Sequence, residues 1–502
     1  MASAMTHHPT PERPTDHSDS VVKVAFESIG VQRIAEADQT STPWTFFNIL
    51  VGGNLALGVV VFGWISITLG LGTVDALTSI ASGVVLGIPL VWVLVVIGSR
   101  TATNNSTASG AHFGVRGRLV GSIVGLAISL AYTAIAIWSG GDATVAVLHR
   151  IFGTPTGNAA HAVAYTALIL AIGLVAIVGF HLLARVERWM VALGAVSLAL
   201  MVVGFVTQVH WSYRGGDYLL GDRLSTWVLS TVVVGVSGPL SMVTILGDWS
   251  RYVSPVRYPA RRMLPVASLG LLLSIAGPAA IGVLLSTAFA DPFADFGTSL
   301  ATQSPMWLAV ALTPFVTVGT VGFGATSMYS CGLDLDAIVP SLSRAGATAL
   351  VCGGTIALVF VGAFALDAKD SIAAMSLVLV VLATPWAAVT SVGFLRARGR
   401  YQLDDLQVFN QGGRGGAYWF TAGFNLRAVL AWLAGAGFGC LAIDSSLYTG
   451  PLAGLAGGID VSFLGSAVLS VVVYAACLAI WPERSAEAVL APTAVKAERA
   501  AA

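Results

Sequence analysis

Charged residues are scarce in this sequence. Only 10% of its 502 residues are Asp, Glu, Lys or Arg, whereas 56% are hydrophobic. A soluble globular protein carries about 25% charged residues, so the composition excludes an ordinary soluble domain. Acidic and basic residues balance at 25 each, which gives no basic excess, and we expect no nucleic-acid partner. The bilayer and a small molecule are the expected partners, and the oligomeric state stays open.

Cysteine is also rare, and sequence motifs of catalysis are missing. The four cysteines, Cys331, Cys352, Cys440 and Cys477, lie in or beside apolar segments and form no close pair, so we expect neither a disulfide framework nor a metal site. The sequence contains no histidine–glutamate zinc motif, no serine nucleophile elbow and no phosphate-binding glycine loop. We therefore predict that the protein is not an enzyme and holds no cofactor.

Long hydrophobic runs dominate what is present. A helix needs about 20 apolar residues to cross a bilayer, and such runs recur from Trp44 to Trp481. The pattern predicts an all-α integral membrane protein with twelve transmembrane helices. The predicted spans are residues 45–69, 74–98, 119–148, 160–180, 187–208, 226–247, 264–288, 305–330, 347–366, 372–394, 426–443 and 461–481.

Basic residues predict the orientation of these spans. With the N-terminus inside, 21 of the 25 Lys and Arg residues fall on the cytoplasmic side, as the positive-inside rule requires. We therefore expect a multi-pass protein of the cytoplasmic membrane with both termini cytoplasmic. Residues 1–42 are polar, lack the apolar core of a signal peptide and are predicted to be a disordered cytoplasmic tail. Residues 43–482 form the predicted transporter domain, and residues 483–502 a second tail.

Two of the predicted spans are interrupted near their middle. Span 1 contains Gly52, Gly53 and Asn54, and span 6 contains Ser237-Gly238-Pro239. Glycine weakens a helix by about 1 kcal/mol, and proline removes a backbone donor. A plain kink packed against neighbouring helices is one explanation. Breaks at corresponding positions of two halves instead indicate a transporter binding site, because they expose backbone groups at mid-depth.

Polar side chains at mid-depth add candidates for that site. Ser129 and Tyr132 lie near the middle of span 3, and a tyrosine there offers a flat face for a planar ligand. Thr320, Thr326 and Ser327 lie on span 8, where hydroxyls either bind a cation or serve close helix packing. Asp142 lies towards the outer end of span 3, where we favour a solvated or capping role over proton relay.

Three stretches resemble the nucleobase:cation symporter-1 family, which includes purine-cytosine permeases and allantoin and hydantoin transporters. They are residues 29–44, ending in Pro-Trp, residues 108–118 (Ala-Ser-Gly-Ala-His-Phe-Gly-Val-Arg-Gly-Arg) and residues 247–252 (Gly-Asp-Trp-Ser-Arg-Tyr). The resemblance implies a LeuT-like 5+5 inverted repeat plus two C-terminal helices, with helices 1 and 6 broken. It also implies secondary active import of a small heterocycle by alternating access.

The resemblance also implies roles for individual residues. Tyr132 would stack on the substrate beside Ser129, and the helix ends at Gly53–Asn54 and Gly238–Pro239 would bind its polar edges, with Thr326 and Ser327 as further contacts. Relatives carry a second aromatic or polar pair where this chain has Gly238 and Pro239. A vitamin, amino-acid or osmolyte transporter therefore remains an alternative, as does a non-transporting membrane sensor.

The coupling ion is predicted from the same comparison. The family's sodium site uses carbonyls equivalent to Gly53 and Ala56, together with two hydroxyls that fall here on Gly322 and Phe323. A shifted alignment would bring in Thr320 or Thr326 instead. Because the hydroxyl pair is absent, we predict coupling to a proton (H+) ahead of sodium (Na+).

Overall fold

The computed structural model describes residues 27, 29–294, 296–364, 372–444, 448–457 and 459–483. This part of the chain is helical and contains no strand, only isolated bridges such as Ser41 with Val253. The helices are α1 Pro43–Asn54, α2 Leu57–Thr68, α3 Thr73–Thr101, α4 Asn105–Ala108, α5 Gly110–Phe113, α6 Leu119–Phe152, α7 Asn158–Val178, α8 Phe180–Phe205, α9 Arg223–Ser230, α10 Ser237–Leu240, α11 Leu246–Ser250, α12 Ala260–Ala288, α13 Phe296–Gln303, α14 Met306–Ile338, α15 Arg344–Phe364, α16 Ile372–Arg396, α17 Leu426–Ala442 and α18 Ser462–Ile480.

The helices match the membrane class predicted from the sequence. Within the described ranges, nine helices are long and apolar enough to cross a membrane, and α1 with α2 forms a tenth candidate bent by 63°. The apolar α17 is shorter, at 17 residues. The prediction of an all-α membrane protein is therefore confirmed.

The start of α1 is stabilised by an N-cap and by a proline in the first turn. Thr42 caps α1 by accepting a hydrogen bond from the backbone of Thr45 at 3.2 Å, and Pro43 occupies the first turn. Proline is well tolerated there because that backbone nitrogen has no partner within the helix. These signals place the start of α1 within two residues of the predicted span.

A sharp hairpin joins α7 to α8. Gly179 has φ +103°, a backbone conformation that glycine adopts without strain, and α8 begins at the next residue, Phe180. The helix thus begins seven residues before the predicted start of span 5, and Glu187 lies inside it rather than at its end.

The segment before α1 packs against one end of the helix bundle, near the end of α3 and the end of α14. Val31 and Ile34 are buried. The backbone N–H of Val31 donates to Asp336 on α14 at 2.9 Å, and that of Ile34 donates to the carbonyl of Ala102 at 2.8 Å. Residues from 29 onwards, which we assigned to the tail, therefore contact the bundle.

Helix α1 occupies the centre of the bundle. It packs against α8, α12 and α14, while α14 also packs closely along α6. Their shared faces contribute to two hydrophobic clusters, one that includes Ile49 and Leu50 of α1 and one that includes Val51 and the adjoining Leu55. This arrangement places the break after α1 at the meeting point of four helices.

Candidate functional site

The first helix break occurs at Leu55 and Ala56. The backbone of Ala56 is extended, with φ −131° and ψ 156°, and it separates α1 from α2. The amide nitrogen of Asn54 donates to the carbonyl of Leu50 at 2.9 Å, and the N–H of Ala56 donates to the carbonyl of Asn54 at 2.8 Å. These bonds satisfy part of the backbone that the break exposes, as an interruption in a membrane requires.

The second interruption is longer and less sharp. After α9 the chain forms a π-helix, Thr231–Val236, then the short α10, then turns up to α11. The Ser237 hydroxyl donates to the carbonyl of Val233, and the Ser241 hydroxyl donates to that of Gly238 at 2.7 Å. Wide π turns often mark functional positions in helices, and serines here compensate for lost backbone bonds.

A cavity of about 80 Å³ lies between the two interruptions. Its wall combines residues of α1, α6, α10, α12 and α14 with the turn after α10. Several of the residues predicted to contact substrate line it: Gly53, Asn54, Tyr132, Gly238, Thr326 and Ser327.

Ser129 and Pro239 lie near the cavity without lining it. Ser129 is buried, and its hydroxyl has no hydrogen-bond partner within the described part of the chain. Pro239 is buried against Gly87 of α3. The structure therefore separates these two residues from the others in the predicted set.

Aromatic rings form much of the cavity wall. Tyr132 and Phe323 meet edge to face, with ring centroids 6.3 Å apart and planes at 77°. Phe62 and Trp249 also line the space. A second ring is therefore present beside Tyr132, but α14 supplies it. The family resemblance marks Phe323 only as a position that lacks a hydroxyl, and the signal that points to it as a wall residue is its spacing of three residues from Thr326.

Trp249 also belongs to the wall and was not among the predicted contacts. It is 2% exposed, and its indole N–H has no acceptor among the described residues. A buried N–H ordinarily has a partner. The Gly-Asp-Trp-Ser-Arg-Tyr motif thus brings a donor to the cytoplasmic side of the cavity.

The hydroxyls proposed for a cation point to their own helix. Thr326 and Ser327 donate to the carbonyl of Phe323 at 2.8 and 3.3 Å, and Thr320 donates to that of Val316 at 2.6 Å. Thr320 faces Gly140 of α6.

The other two predicted cation ligands have contacts of their own. Gly53 packs against Thr326, and the carbonyl of Ala56 accepts the backbone N–H of Val59 at 3.1 Å. The described residues contain no group of three His, Cys, Asp or Glu side chains that could hold a metal ion.

A polar cluster lies beyond the cavity, at the end of the bundle where the segment before α1 packs. The buried guanidinium of Arg251 donates to the hydroxyl of Tyr329 at 2.9 Å, to Glu27 at 3.2 Å and to the carbonyl of Gly30. Tyr252 also donates to Glu27. The motif that ends the second interruption is therefore tied to the segment before α1 and to α14.

A family comparison identifies the chain's relatives. Residues 33–464 match the model of the family described as "Permease for cytosine/purines, uracil, thiamine, allantoin". The chain is also 23% identical over 441 residues to the putative purine-cytosine permease YxlA of Bacillus subtilis (strain 168), a match that spans 85% of this chain and 91% of that protein.

Solved structures share the fold. Mhp1, a nucleobase-cation-symport-1 family transporter in a closed conformation with bromovinylhydantoin bound, superposes with a TM-score of 0.69 at 15% identity, over 91% of this chain and 96% of that one. A Na+-coupled sialic acid symporter gives a TM-score of 0.61 at 14% identity, over 89% and 91% of the two chains.

These matches confirm the predicted resemblance and the assignment as a membrane transporter rather than an enzyme. The model match extends from the segment before α1 to the start of α18 and therefore includes both interruptions and the cavity between them. The chain therefore belongs to the family of permeases for cytosine and purines, uracil, thiamine and allantoin.

Proposed function

We propose that this secondary transporter imports a small planar nucleobase-like heterocycle across the cytoplasmic membrane by alternating access. The observation that carries the proposal is the cavity between the two interrupted helices, walled by Tyr132 and Phe323. A flat ring fits against aromatic faces, and its polar edge requires a few directed hydrogen bonds. The cavity of about 80 Å³ favours a single heterocycle over a larger two-ring vitamin such as thiamine.

The architecture that we infer has twelve spans and both termini in the cytoplasm. Besides the nine long helices and the bent α1–α2 pair, the apolar α17 and the interrupted segment from α9 to α11 each provide one span. Spans 1–5 and 6–10 form the inverted repeat, so the two interruptions occupy equivalent positions. The transporter domain extends over residues 43–482, with tails on either side.

The site residues have distinct proposed roles. Tyr132 and Phe323 hold the ring, and the backbone at Gly53–Asn54 and Gly238–Pro239 binds its polar edge through helix ends. The free indole N–H of Trp249 donates to a ring carbonyl. Thr326 and Ser327 contribute hydrogen-bond acceptors on the same wall. Ser129 lies about one turn before Tyr132 on α6.

Two relatives support a planar substrate. Mhp1 binds a hydantoin in the structure cited above, and the Bacillus protein is described as a purine-cytosine permease. Both kinds of molecule are flat rings that carry amide-like edges. For coupling we favour H+ over Na+, because Gly322 and Phe323 stand where the family resemblance places the two sodium-binding hydroxyls.

Purified protein provides the first test. Cytosine, uracil, adenine, hydantoin, allantoin and thiamine would each be screened by thermal shift, since a ligand stabilises the fold when its concentration exceeds its dissociation constant. We expect stabilisation by a nucleobase or hydantoin and a smaller stabilisation at the same ligand concentration in Tyr132→Ala, with Tyr132→Phe retaining the wild-type value. Stabilisation by thiamine alone, or equal binding by Tyr132→Ala, would contradict the proposal.

A further inference from the structure

Glu187 is a buried carboxylate that the proposed site does not use. It lies on α8 and is 0% exposed, and neither carboxylate oxygen has a hydrogen-bond partner within the described part of the chain. An ionisable side chain at membrane depth is costly and is rarely retained without a function. A carboxylate so placed needs either a proton or a cation when the site is closed.

The position of Glu187 is set by two glycines. A methyl group at Gly52 of α1 would stand 2.7 Å from Oε2 of Glu187, and one at Gly322 of α14 would stand 3.2 Å from the same oxygen. Gly322 is the central residue of the 33-residue α14. The carboxylate is thus wedged at mid-depth between the end of α1 and the middle of α14.

The Glu187 carboxylate lies directly beside the substrate cavity. The residue after Gly52 is Gly53, which lines the cavity and packs against Thr326, one turn along α14 from Gly322. A change in the charge of Glu187 therefore acts on the same two helix segments that the substrate contacts. Coupling between two ligands requires such a shared element.

We propose that Glu187 binds the proton that is co-transported with the substrate, an inference that rests on the proposed function. A proton from the outside water adds to one carboxylate oxygen, which gives a neutral acid and allows α1, α8 and α14 to close around it. After the cavity opens to the cytoplasm, the same proton leaves to water and the carboxylate is restored. One proton thus crosses with each substrate molecule.

The surroundings fit a proton better than a sodium ion. Sodium is a hard cation that needs several oxygen ligands with room between them, as hard cations do generally. The two positions closest to the carboxylate are Gly52 and Gly322, which bring no side-chain oxygen to it, and neither carboxylate oxygen has a hydrogen-bond partner among the described residues. A proton needs neither ligands nor space.

The elements packed against Glu187 bring no opposite charge to it. Helix α1 has no titratable side chain. On α14 the nearest such residue beyond Gly322 towards the cytoplasm is Tyr329, about 10 Å along the helix, and it bonds to Arg251 and Glu27. The nearest charges along the chain are Arg185 and Arg188, which flank Glu187 on α8 but have exposed side chains, and Arg261 and Arg262 are exposed at the start of α12.

Other buried titratable groups lie elsewhere on these helices and on their neighbours. On α7, His161 and Tyr165 both approach Asp142. Asp334 accepts the Ser106 hydroxyl at 2.8 Å, and Asp336 accepts the N–H of Val31. One oxygen of Asp334 and one of Asp248 lack a partner among the described residues, whereas both oxygens of Glu187 lack one. Burial lowers the pKa of His112, on the short helix α5 outside the membrane-spanning helices, to about 3, so it stays neutral across the physiological range.

Transport in proteoliposomes tests the inference with Glu187→Gln. The labelled substrate would be the compound that stabilises the wild type in the thermal-shift screen. Accumulation driven by a pH gradient, with choline in place of sodium, should fall at least about tenfold, because no proton can bind. Exchange of labelled for unlabelled substrate needs no net proton movement and should stay within about twofold of the wild type. Alkalinisation outside the vesicles during uptake should disappear.

Two further variants keep the test decisive. Asp142→Asn removes a partnered carboxylate of α6 and should leave gradient-driven accumulation unchanged. Glu187→Asp keeps a titratable group and should retain accumulation with a shifted pH profile. Gradient-driven accumulation by Glu187→Gln, or a sodium requirement in the wild type, would overturn the inference. Absence of exchange by the wild type would overturn the proposed function, and the inference with it.

Discussion

Two buried ionic regions of this protein are built in opposite ways. At the end of the bundle that contacts the N-terminal segment, Arg251 has no exposed side-chain surface and bonds to Glu27, Tyr329 and a backbone carbonyl. At mid-depth, Glu187 is equally buried, and both of its oxygens are without partners in the described residues. The two regions are joined through α8, since the N–H of Phe180 at its start donates to Glu27 at 3.0 Å.

The difference distinguishes a cluster that stabilises one arrangement of the helices from a residue that is suited to binding and releasing a proton. A buried charge with several partners holds its neighbours in one arrangement, and removing a partner leaves an uncompensated charge behind. A buried carboxylate without partners is most stable when it carries a proton. Its protonation therefore changes as the protein opens and closes. We therefore assign closure of the cytoplasmic side to the Arg251 cluster and proton binding to Glu187.

Removing Arg251 should have the largest effect on stability. Arg251→Ala leaves the Glu27 carboxylate without its cation, and the loss of one partner of a buried pair typically costs about 3–5 kcal/mol. We expect a marked fall in the thermal midpoint of the detergent-purified protein. Arg257→Ala, at an exposed arginine of the following loop, is the matched control and should leave the midpoint unchanged. Equal midpoints for both variants would contradict the role of the cluster.

Neutralising Glu187 should act in the opposite direction. Glu187→Gln removes the cost of burying an ionised carboxylate that has no hydrogen-bond partner among the described residues, so the thermal midpoint should rise. The gain should be larger in alkaline than in acidic buffer, because only the ionised carboxylate is costly to bury. Thermal midpoints measured over a pH series check this sign. A fall in stability comparable to that of Arg251→Ala would remove the contrast between the two regions.

A ring substitution tests the cavity without altering either charge. Tyr132→Ala deletes one face of the aromatic pair with Phe323, an interaction worth about 0.5–1.5 kcal/mol, so substrate affinity should fall about 2- to 10-fold. Surface expression should remain, because Tyr132 is only partly buried. Tyr132→Phe separates the ring from the hydroxyl. Uptake kinetics identical to the wild type in the alanine variant would exclude Tyr132 from the site.

The smallest effect is expected from an arginine–carboxylate pair at the surface. Arg223 donates to both oxygens of Asp75, at 2.7 and 2.6 Å, but its side chain is 68% exposed. Exposed pairs contribute about 0–1 kcal/mol and are screened by salt. Asp75→Asn should lower the thermal midpoint slightly, and less at high salt. A loss as large as that of Arg251→Ala would show that burial does not govern these pairs.

The sequence predicted the elements that depend on local patterns. Glycine and asparagine at residues 52–54 and the Ser-Gly-Pro run at 237–239 lie at the interruptions, because helix-breaking residues act through their own backbone. The position of Tyr132 followed from its depth along a long helix. These features need no knowledge of which helices are neighbours.

The rest depended on tertiary packing. Phe323 shares a wall with Tyr132 only because α14 packs along α6. Glu187 was overlooked because Arg185 and Arg188 flank it and give the stretch the polarity of a loop. Because the hairpin at Gly179 lets α8 begin at Phe180, Glu187 lies within the helix and its side chain is buried. A single sequence also contains no signal that residues 29–34 bind across the cytoplasmic face.

That N-terminal segment has a practical consequence. Its backbone is bonded to the end of α3 at Ala102, to Arg251 beyond the second interruption and to Asp336 on α14. If these helices separate when the cytoplasmic side opens, the segment must release at least one of them. A fluorophore or spin label at an exposed position such as Gln32 would thus act as a reporter of inward opening, and affinity tags are best kept apart from this segment by a linker.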